Sequence, residues 1–264
     1  MSDDVVLSDV SDRIGTVTMH RPEARNALNS ALRSALPKAL LAMEANDDVD
    51  VIILTGTDPA FCAGLDLKEL GSGGNDLGGG SKRAPAADDP VVNTPWPTLT
   101  KPVIGAVNGV SITGGFELAL NCDFLVASEH ARFADTHSRV GVMPGWGLTV
   151  LLPQAIGVRR AREMSTTGNF MGATEALTFG LVNHVVPHDE LIPFTRQIAT
   201  DIIGNDQTGV RRMLETYRAT SGTTIDEGWQ VEARMAREWQ AQRFDPAEVE
   251  RRRQAIIDRG RTQV

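Results

Sequence analysis

Residues 102–123 place a carboxylate directly behind a pair of glycines, at a point where an apolar strand gives way to a helix. The apolar run 103–107 predicts a buried strand, and the residues after the glycines have helix-forming composition. Gly114 and Gly115 then stand at the helix start, where unpaired N–H groups and a closely approachable backbone suit a developing oxyanion. Glu117, in the first turn, adds a base. The alternative is that the glycines only permit tight packing and that Glu117 only complements the helix dipole.

The size, composition and charge of the chain limit the kinds of protein that it can be. With 264 residues, of which 41% are hydrophobic, it is long and apolar enough for a large folded domain. A formal net charge of −8 argues against nucleic acid as the main partner, because phosphate binding needs a basic face. No signal-like start and no run of membrane-spanning length is present, so we expect a soluble cytoplasmic protein with no membrane partner. Cys62 and Cys122 lack metal-ligand spacing, which predicts buried reduced thiols and no metal site.

Strand and helix patterns alternate along most of the chain. Strands are predicted at 14–19, 51–55, 103–107, 123–127, 131–134 and 181–186, and helices at 27–45, 65–70, 116–120, 173–180 and from about Leu148. The segment 71–90 is rich in Gly, Ser, Asp and Pro, which predicts a mobile surface loop. From about residue 190 the pattern is helical to the end of the sequence. We therefore expect an α/β core over 1–190 and a C-terminal helical subdomain over 191–264.

Four motifs follow one another in an order that resembles one known family. They are Arg21-Pro22 with Asn26-Ala27-Leu28, then Phe61-Cys62-Ala63-Gly64-Leu65-Asp66, then Gly109 through Asp123, and finally Pro144-Gly145-Trp146-Gly147. Each motif is weak alone, but four in order are specific, and the resemblance covers about residues 14–186. The chain resembles the crotonase family, also called the enoyl-CoA hydratase/isomerase superfamily.

The resemblance implies a spiral of ββα units with a C-terminal helical region that assembles the chain into a homotrimer, often as a hexameric dimer of trimers. It also implies an acyl-CoA thioester as substrate, with coenzyme A as part of that substrate and no separate cofactor. The thioester oxygen would lie between the backbone N–H groups of Ala63 and Gly114, since fixed dipoles stabilise charge that develops only in the transition state. Further substrate-binding positions implied by the motifs are Cys62, Gly64, Asp66 and Trp146.

The acid/base pair implied by the resemblance is Glu117 and His137. Hydratases of this family place one glutamate after the glycine run and a second after a later strand. Glu117 matches the first position, whereas His137 stands where the second glutamate is expected. An imidazole with an unperturbed pKa of about 6.5 exchanges protons near neutrality, so the two side chains can divide the roles of base and acid. The alternative is a packing histidine that Asp135 holds in place.

Two other positions depart from the family pattern or extend it. Thr113 stands where family members often carry a third glycine, and Trp146 puts an indole in a loop that lies near the acyl group in the family, with core packing as its alternative role. The reaction predicted by the sequence is enoyl-CoA hydration. An isomerase, decarboxylase or hydrolase using the same enolate is the alternative in chemistry. A catalytically silent acyl-CoA-binding protein is the alternative in class, and retention of Glu117 disfavours it.

Overall fold

A computed structural model describes residues 4–72 and 93–262 of the chain. Its strands are β1 (Val6–Ser11), β2 (Ile14–Met19), β3 (Val51–Gly56), β4 (Ala60–Cys62), β5 (Val103–Val107), β6 (Val110–Ile112), β7 (Phe124–Ser128), β8 (Arg132–Ala134), β9 (Met171–Gly172) and β10 (His184–Val186). Its helices are α1 (Ser30–Ala45), α2 (Leu67–Gly71), α3 (Gly114–Leu120), α4 (His137–Val140), α5 (Leu148–Ile156), α6 (Val158–Thr167), α7 (Ala173–Phe179), α8 (Leu191–Ile203), α9 (Gln207–Thr220), α10 (Ile225–Arg243) and α11 (Pro246–Thr262).

The larger sheet has the strand order β1-β2-β3-β5-β7-β10 within the described ranges. β1 pairs antiparallel with β2, and every other neighbouring pair is parallel. The strands predicted at 14–19, 51–55 and 103–107 are confirmed. The sequence analysis did not predict β1, an edge strand whose residues are mostly exposed. It was missed because its apolar and polar residues give no regular alternation.

The smaller sheet has the order β4-β6-β8-β9, and its first three strands are parallel. Three successive units, β3-β4-α2, β5-β6-α3 and β7-β8-α4, each give one strand to the larger sheet, one to the smaller sheet, and then a helix. This repetition confirms the predicted α/β spiral of ββα units. Because each unit is laid beside the one before it, the carboxyl ends of β4, β6 and β8 come to lie next to one another.

The larger sheet is buried on both faces, which explains its continuous apolar strands. Ile52 and Leu54 of β3 belong to the main hydrophobic core, whereas their neighbour Ile53 packs in a second cluster with Leu191 and Ala199 of α8. Side chains alternate between the faces of a strand, so both sets of positions must be apolar when both faces are covered. The two covered faces give the site a rigid support.

Helix α1 begins three residues later than the sequence predicted. The side chain of Asn29 caps it by accepting a hydrogen bond from the Leu32 N–H at 2.9 Å. Before the cap, Arg25 and Asn26 have φ of 50° and 55°, and the buried Asn26 amide donates to the carbonyl of Ala60 at 2.6 Å. The residues predicted as the first turn therefore form a pinned loop instead of a helix.

The described chain divides into two compact units after Val210. The first unit includes α8, which packs on the larger sheet, so this compact unit extends past the boundary drawn from the sequence at residue 190. In the second unit, a capping box of Thr224 and Glu227 starts α10, and Arg212 pairs with Glu238 at 2.7 Å. The predicted helical pattern from residue 190 is confirmed.

Two sequence-based expectations concern membranes and the loop after α2. In the described residues, no helix is long and apolar enough to cross a bilayer. The loop predicted at 71–90 lies outside the described residues except for its first two positions, where α2 ends at Gly71.

Candidate active site

Three strand ends bring the predicted chemistry together. β4, β6 and β8 are parallel neighbours, so the segments that leave their carboxyl ends lie side by side. Ala63 follows β4, Gly114 follows β6 and opens α3, and His137 follows β8 and opens α4. The sheet therefore collects residues that are far apart in the sequence along one edge.

The turn from β6 into α3 is closely packed and strained. A Cβ on Gly115 would lie 2.2 Å from the carbonyl oxygen of Cys62, so glycine is required for α3 to approach β4. Thr113 has φ 53° and ψ −115°, a backbone conformation that residues with a Cβ rarely adopt. Its hydroxyl lies 2.5 Å from the hydroxyl of Thr136, which ties this turn to the segment that carries His137.

The carboxylate of Glu117 is buried and has two different neighbours. Its Oε1 accepts the backbone N–H groups of Gly145 at 3.1 Å and Trp146 at 2.6 Å. Its Oε2 lies 3.5 Å from Nε2 of His137. Because two backbone donors fix the first oxygen, the second oxygen is held toward the imidazole. The structure thus brings together the two residues that the sequence analysis selected as the acid/base pair.

His137 lies between two carboxylates. Its Nδ1 is 2.6 Å from Oδ1 of Asp135, whose same oxygen also accepts the His137 backbone N–H at 3.1 Å. Burial lowers the pKa of His137, but the hydrogen bonds and charges of Asp135 and Glu117 outweigh it and raise the pKa to about 9. Burial raises the pKa of Asp135, but the hydrogen bonds from His137 and Ser165 and the charge of His137 together outweigh it, so the pKa of this carboxyl is lowered. The imidazole is therefore protonated at neutral pH, whereas the sequence analysis expected it to exchange protons near neutrality.

The two backbone N–H groups predicted to bind the oxyanion differ in whether they already have a hydrogen-bond acceptor. Among the described residues, the N–H of Gly114 has no hydrogen-bond acceptor. The N–H of Ala63 donates to the carbonyl of Arg25 at 3.0 Å. Arg25 and the residue after it both have positive φ, which turns this carbonyl toward β4. The Gly114 donor is thus open, and the Ala63 donor is shared with the chain's own backbone.

Two cavities adjoin these residues in the first compact unit. The Trp146 cavity, about 330 Å³, is lined by Leu28, Ser30, Arg33, Ser34, Leu36, Pro37, Asn93, Thr94, Pro95, Leu118 and Trp146. The Arg25 cavity, about 480 Å³, is lined by Arg21, Glu23, Ala24, Arg25, Ala27, Ala63, Leu65, Asp66, Leu67 and Lys68. Ala63 thus connects the strand-end residues to a cavity whose lining includes Arg21, Arg25 and Lys68, and Trp146 connects them to a cavity of mixed polar and apolar lining.

The four other residues predicted to bind substrate lie in different surroundings: the core, a turn and the two cavities. The Cys62 side chain is fully buried in the core, and burial raises its thiol pKa to about 12, so the thiol lines neither cavity. The substrate-binding role of Cys62 stays a prediction, and its thiol does not line the cavities. Gly64 turns the chain with φ 87°. Asp66 lines the Arg25 cavity, caps α2 and binds Arg21 at 3.1 Å, and Trp146 lines its own cavity while packing on the core.

Asn26 supports the site by holding backbone in place, a role that the sequence did not predict. Asn26 pins the Arg25 loop to β4, and its amide also donates to the carbonyl of Thr57 at 2.8 Å. The motif containing Asn26 was noticed, but nothing in its letters indicates that the preceding carbonyl reaches Ala63. In the described ranges, no group of three His, Cys, Asp or Glu side chains is arranged to hold a metal ion.

Known proteins are similar to this chain over most of its length. The family model for enoyl-CoA hydratase/isomerase matches residues 9–253. A probable peroxisomal enoyl-CoA hydratase of Arabidopsis thaliana is 43% identical over 218 residues, which cover 83% of this chain and 79% of the relative. A crystal structure of an enoyl-CoA hydratase from Mycobacterium paratuberculosis is 49% identical, with a TM-score of 0.74 over 90% of this chain and 98% of that one. One from Mycobacterium smegmatis is 48% identical, with a TM-score of 0.74 over 90% and 99%.

Proposed function

The chain belongs to the enoyl-CoA hydratase/isomerase family, and on this premise we propose that it adds water across the double bond of an enoyl-CoA thioester. The observation that carries the proposal is the buried line of Glu117, His137 and Asp135 beside the open N–H of Gly114. Hydration needs a base for water, an acid for the α-carbon and a donor for the thioester oxygen. This arrangement supplies all three.

The two cavities divide the substrate between them. We assign the phosphate-bearing part of coenzyme A to the Arg25 cavity, where Arg25 and Lys68 are exposed cations. The acyl group then enters the Trp146 cavity, whose Leu28 and Leu118 flank the catalytic turn. The thioester oxygen accepts the Gly114 N–H. It takes the Ala63 N–H as well, in place of the Arg25 carbonyl that holds this donor without substrate.

The proposed reaction uses Glu117 as the base and the protonated imidazole of His137 as the acid. The Glu117 carboxylate takes one proton from water as the water oxygen bonds to the β-carbon. The electrons of the carbon–carbon double bond move onto the α-carbon and the thioester oxygen, where the N–H donors stabilise the enolate. The Nε2 proton of His137 is then transferred to the α-carbon. The product has gained one water molecule.

Direct contact between the two residues returns the enzyme to its starting state. After the reaction Glu117 is protonated and His137 is a neutral imidazole whose Nδ1–H still donates to Asp135. The proton moves from Glu117 to Nε2 of His137 across their 3.5 Å separation. Asp135 keeps the imidazole in the tautomer that leaves Nε2 free for this transfer.

Product mass distinguishes hydration from the other reactions of the family. The purified chain is incubated with crotonyl-CoA, a dienoyl-CoA and a 1,3-dicarbonyl acyl-CoA, and the products are weighed. We expect crotonyl-CoA to gain the mass of one water, and Glu117→Gln to abolish most of that gain. A product of unchanged mass would show that the chain catalyses isomerisation instead of hydration. No product from any substrate, with acyl-CoA still bound, would indicate the catalytically silent alternative.

Assembly, location and cofactor use are part of the proposal. We propose a homotrimer or hexamer, which the exposed apolar side chains Met213, Tyr217, Ile225 and Trp229 of the second unit support. We also propose a cytoplasmic location and a reaction that uses no metal or redox cofactor. Mass photometry of the purified chain tests the assembly, and a monomer would contradict it.

A further inference from the structure

Helix α1 turns a polar face toward the Trp146 cavity. Ser30, Arg33, Ser34 and Pro37 follow helical spacing and line the cavity, whereas Leu32 on the opposite side is fully buried in the core. The cavity's other wall begins at the catalytic turn. The cavity is therefore apolar where the reactive carbons would lie and polar at the α1 end.

Arg33 is the charged residue of this lining, and its guanidinium has no partner among the described residues. Other half-buried arginines of the chain are paired, as Arg21 is with Asp66 at 3.1 Å. The carboxylate of Glu69 lies close to the start of α1, but it binds Ser30. Glu69 accepts the backbone N–H of Ser30 at 2.8 Å with one oxygen and its hydroxyl with the other.

The remaining polar residues of the cavity add neutral groups near that cation. Ser34 and Asn93 contribute a hydroxyl and an amide that can donate hydrogen bonds, whereas the Thr94 hydroxyl already donates to the carbonyl of Trp96 at 2.8 Å. An alkyl chain end placed among these groups would remove water from the Arg33 guanidinium without replacing the lost hydrogen bonds. Burying an unpaired charge in this way is unfavourable. A carboxylate at the end of the tail would replace the lost water with charge-assisted hydrogen bonds.

We propose that Arg33 selects acyl-CoA substrates whose acyl chain ends in a second carboxylate. The inference rests on the proposed function, since it assigns the far end of the acyl chain to the Trp146 cavity. Arg33 acts here as a specificity-determining residue. It takes no part in the acid/base steps, which belong to Glu117 and His137.

Binding of unreactive acyl-CoA compounds tests the selection without requiring turnover. Calorimetry compares glutaryl-CoA, which ends in a carboxylate, with pentanoyl-CoA, which has the same chain length and an alkyl end. We expect the wild type to bind glutaryl-CoA about 10-fold more tightly. Arg33→Met should remove this preference, and Arg33→Lys should retain part of it. The matched control is Arg159→Met, an exposed arginine of α6 that lines neither cavity.

The outcomes separate this inference from the proposed reaction. Equal affinity of the wild type for glutaryl-CoA and pentanoyl-CoA contradicts selection by Arg33. An equal loss of affinity for the two compounds in Arg33→Met contradicts it as well. Hydration of the matching enoyl-CoA pair, followed by product mass, tests the reaction by itself. If binding is selective and no water is added, the reaction fails and the role of Arg33 stands. If water is added to both with equal kcat/KM and binding is unselective, the reaction stands and the role of Arg33 fails.

Discussion

Two histidines of this chain have similar neighbours and very different surroundings. His137 bridges Asp135 at 2.6 Å and Glu117 at 3.5 Å, and the side chains of all three are at most 6% exposed. His188 bridges Oδ2 of Asp58 at 3.2 Å and the hydroxyl of Ser128 at 3.0 Å. In this second cluster the imidazole is 32% exposed and the carboxylate is 62% exposed.

Contact with a carboxylate alone therefore does not distinguish the two histidines. Water screens the exposed pair of His188 and Asp58, so their interaction is weak. His188 also stacks on His130, with ring centroids 4.7 Å apart. The imidazole of His137 is buried and has a second carboxylate as a neighbour, and it belongs to the same group of strand ends as the open N–H of Gly114. Burial and the second carboxylate therefore distinguish the His137 cluster from the surface contact of His188.

The largest expected effect is the loss of the base. Glu117→Gln keeps an oxygen for the N–H groups of Gly145 and Trp146 but cannot take a proton from water. We expect turnover of crotonyl-CoA to fall by about 10²-fold or more with little change in KM. Steady-state kinetics checks this, with the exposed Glu129→Gln as control. Turnover equal to the wild type would remove Glu117 from the mechanism.

The second prediction concerns the protonated imidazole. Because the pKa of His137 is raised to about 9, its acid form is present at neutral pH and is lost as the pH rises through that value. The wild-type rate should therefore fall above about pH 9. This alkaline limb of the pH–rate profile lies at higher pH than the limb predicted from an unperturbed imidazole pKa of about 6.5.

Replacing the imidazole should remove this limb. His137→Gln keeps an N–H donor for one of the two carboxylates but cannot transfer a proton, so we expect turnover at neutral pH to fall by about 10- to 100-fold. A pH–rate series measures both effects, and thermal unfolding confirms that the variant is folded. A variant that keeps the wild-type rate and the wild-type limb would make His137 a structural residue.

A smaller effect is expected from the carboxylate behind the imidazole. Asp135→Asn keeps an oxygen for the His137 N–H groups but removes a charge that raises the pKa of His137. The alkaline limb should move to lower pH, and turnover should fall by about 10-fold. The matched control is Asp58→Asn in the exposed cluster, which should leave the limb in place. An unshifted limb in Asp135→Asn would show that Asp135 does not set the charge of the imidazole.

The smallest effect is expected at the exposed histidine. His188→Gln removes a screened contact, so turnover and Tm should stay close to the wild type, with a change in turnover below about 2-fold. Kinetics and thermal unfolding measured side by side with His137→Gln test this. A loss of turnover in His188→Gln as large as in His137→Gln would show that burial does not explain the difference between the two clusters.

The sequence determined much of the framework and part of the site. The apolar runs of β3 and β5 identify their strands, since both faces of the larger sheet are buried and every position must be apolar. The glycine pair before Glu117 identified a strand-to-helix turn, because only glycine allows α3 to approach β4 so closely. These features depend on local composition and spacing, which can be read from the letters.

The tertiary structure decided what those residues can do. The start of α1 at Ser30, the Arg25 carbonyl on the Ala63 N–H and the burial of Cys62 all depend on contacts between segments distant in sequence. The charge of His137 depends in the same way on two carboxylates brought to it by the ends of β6 and β8. A pKa is set by burial and by neighbouring charge, and hydrogen-bond partners are set by folding, so neither follows from the residue types alone.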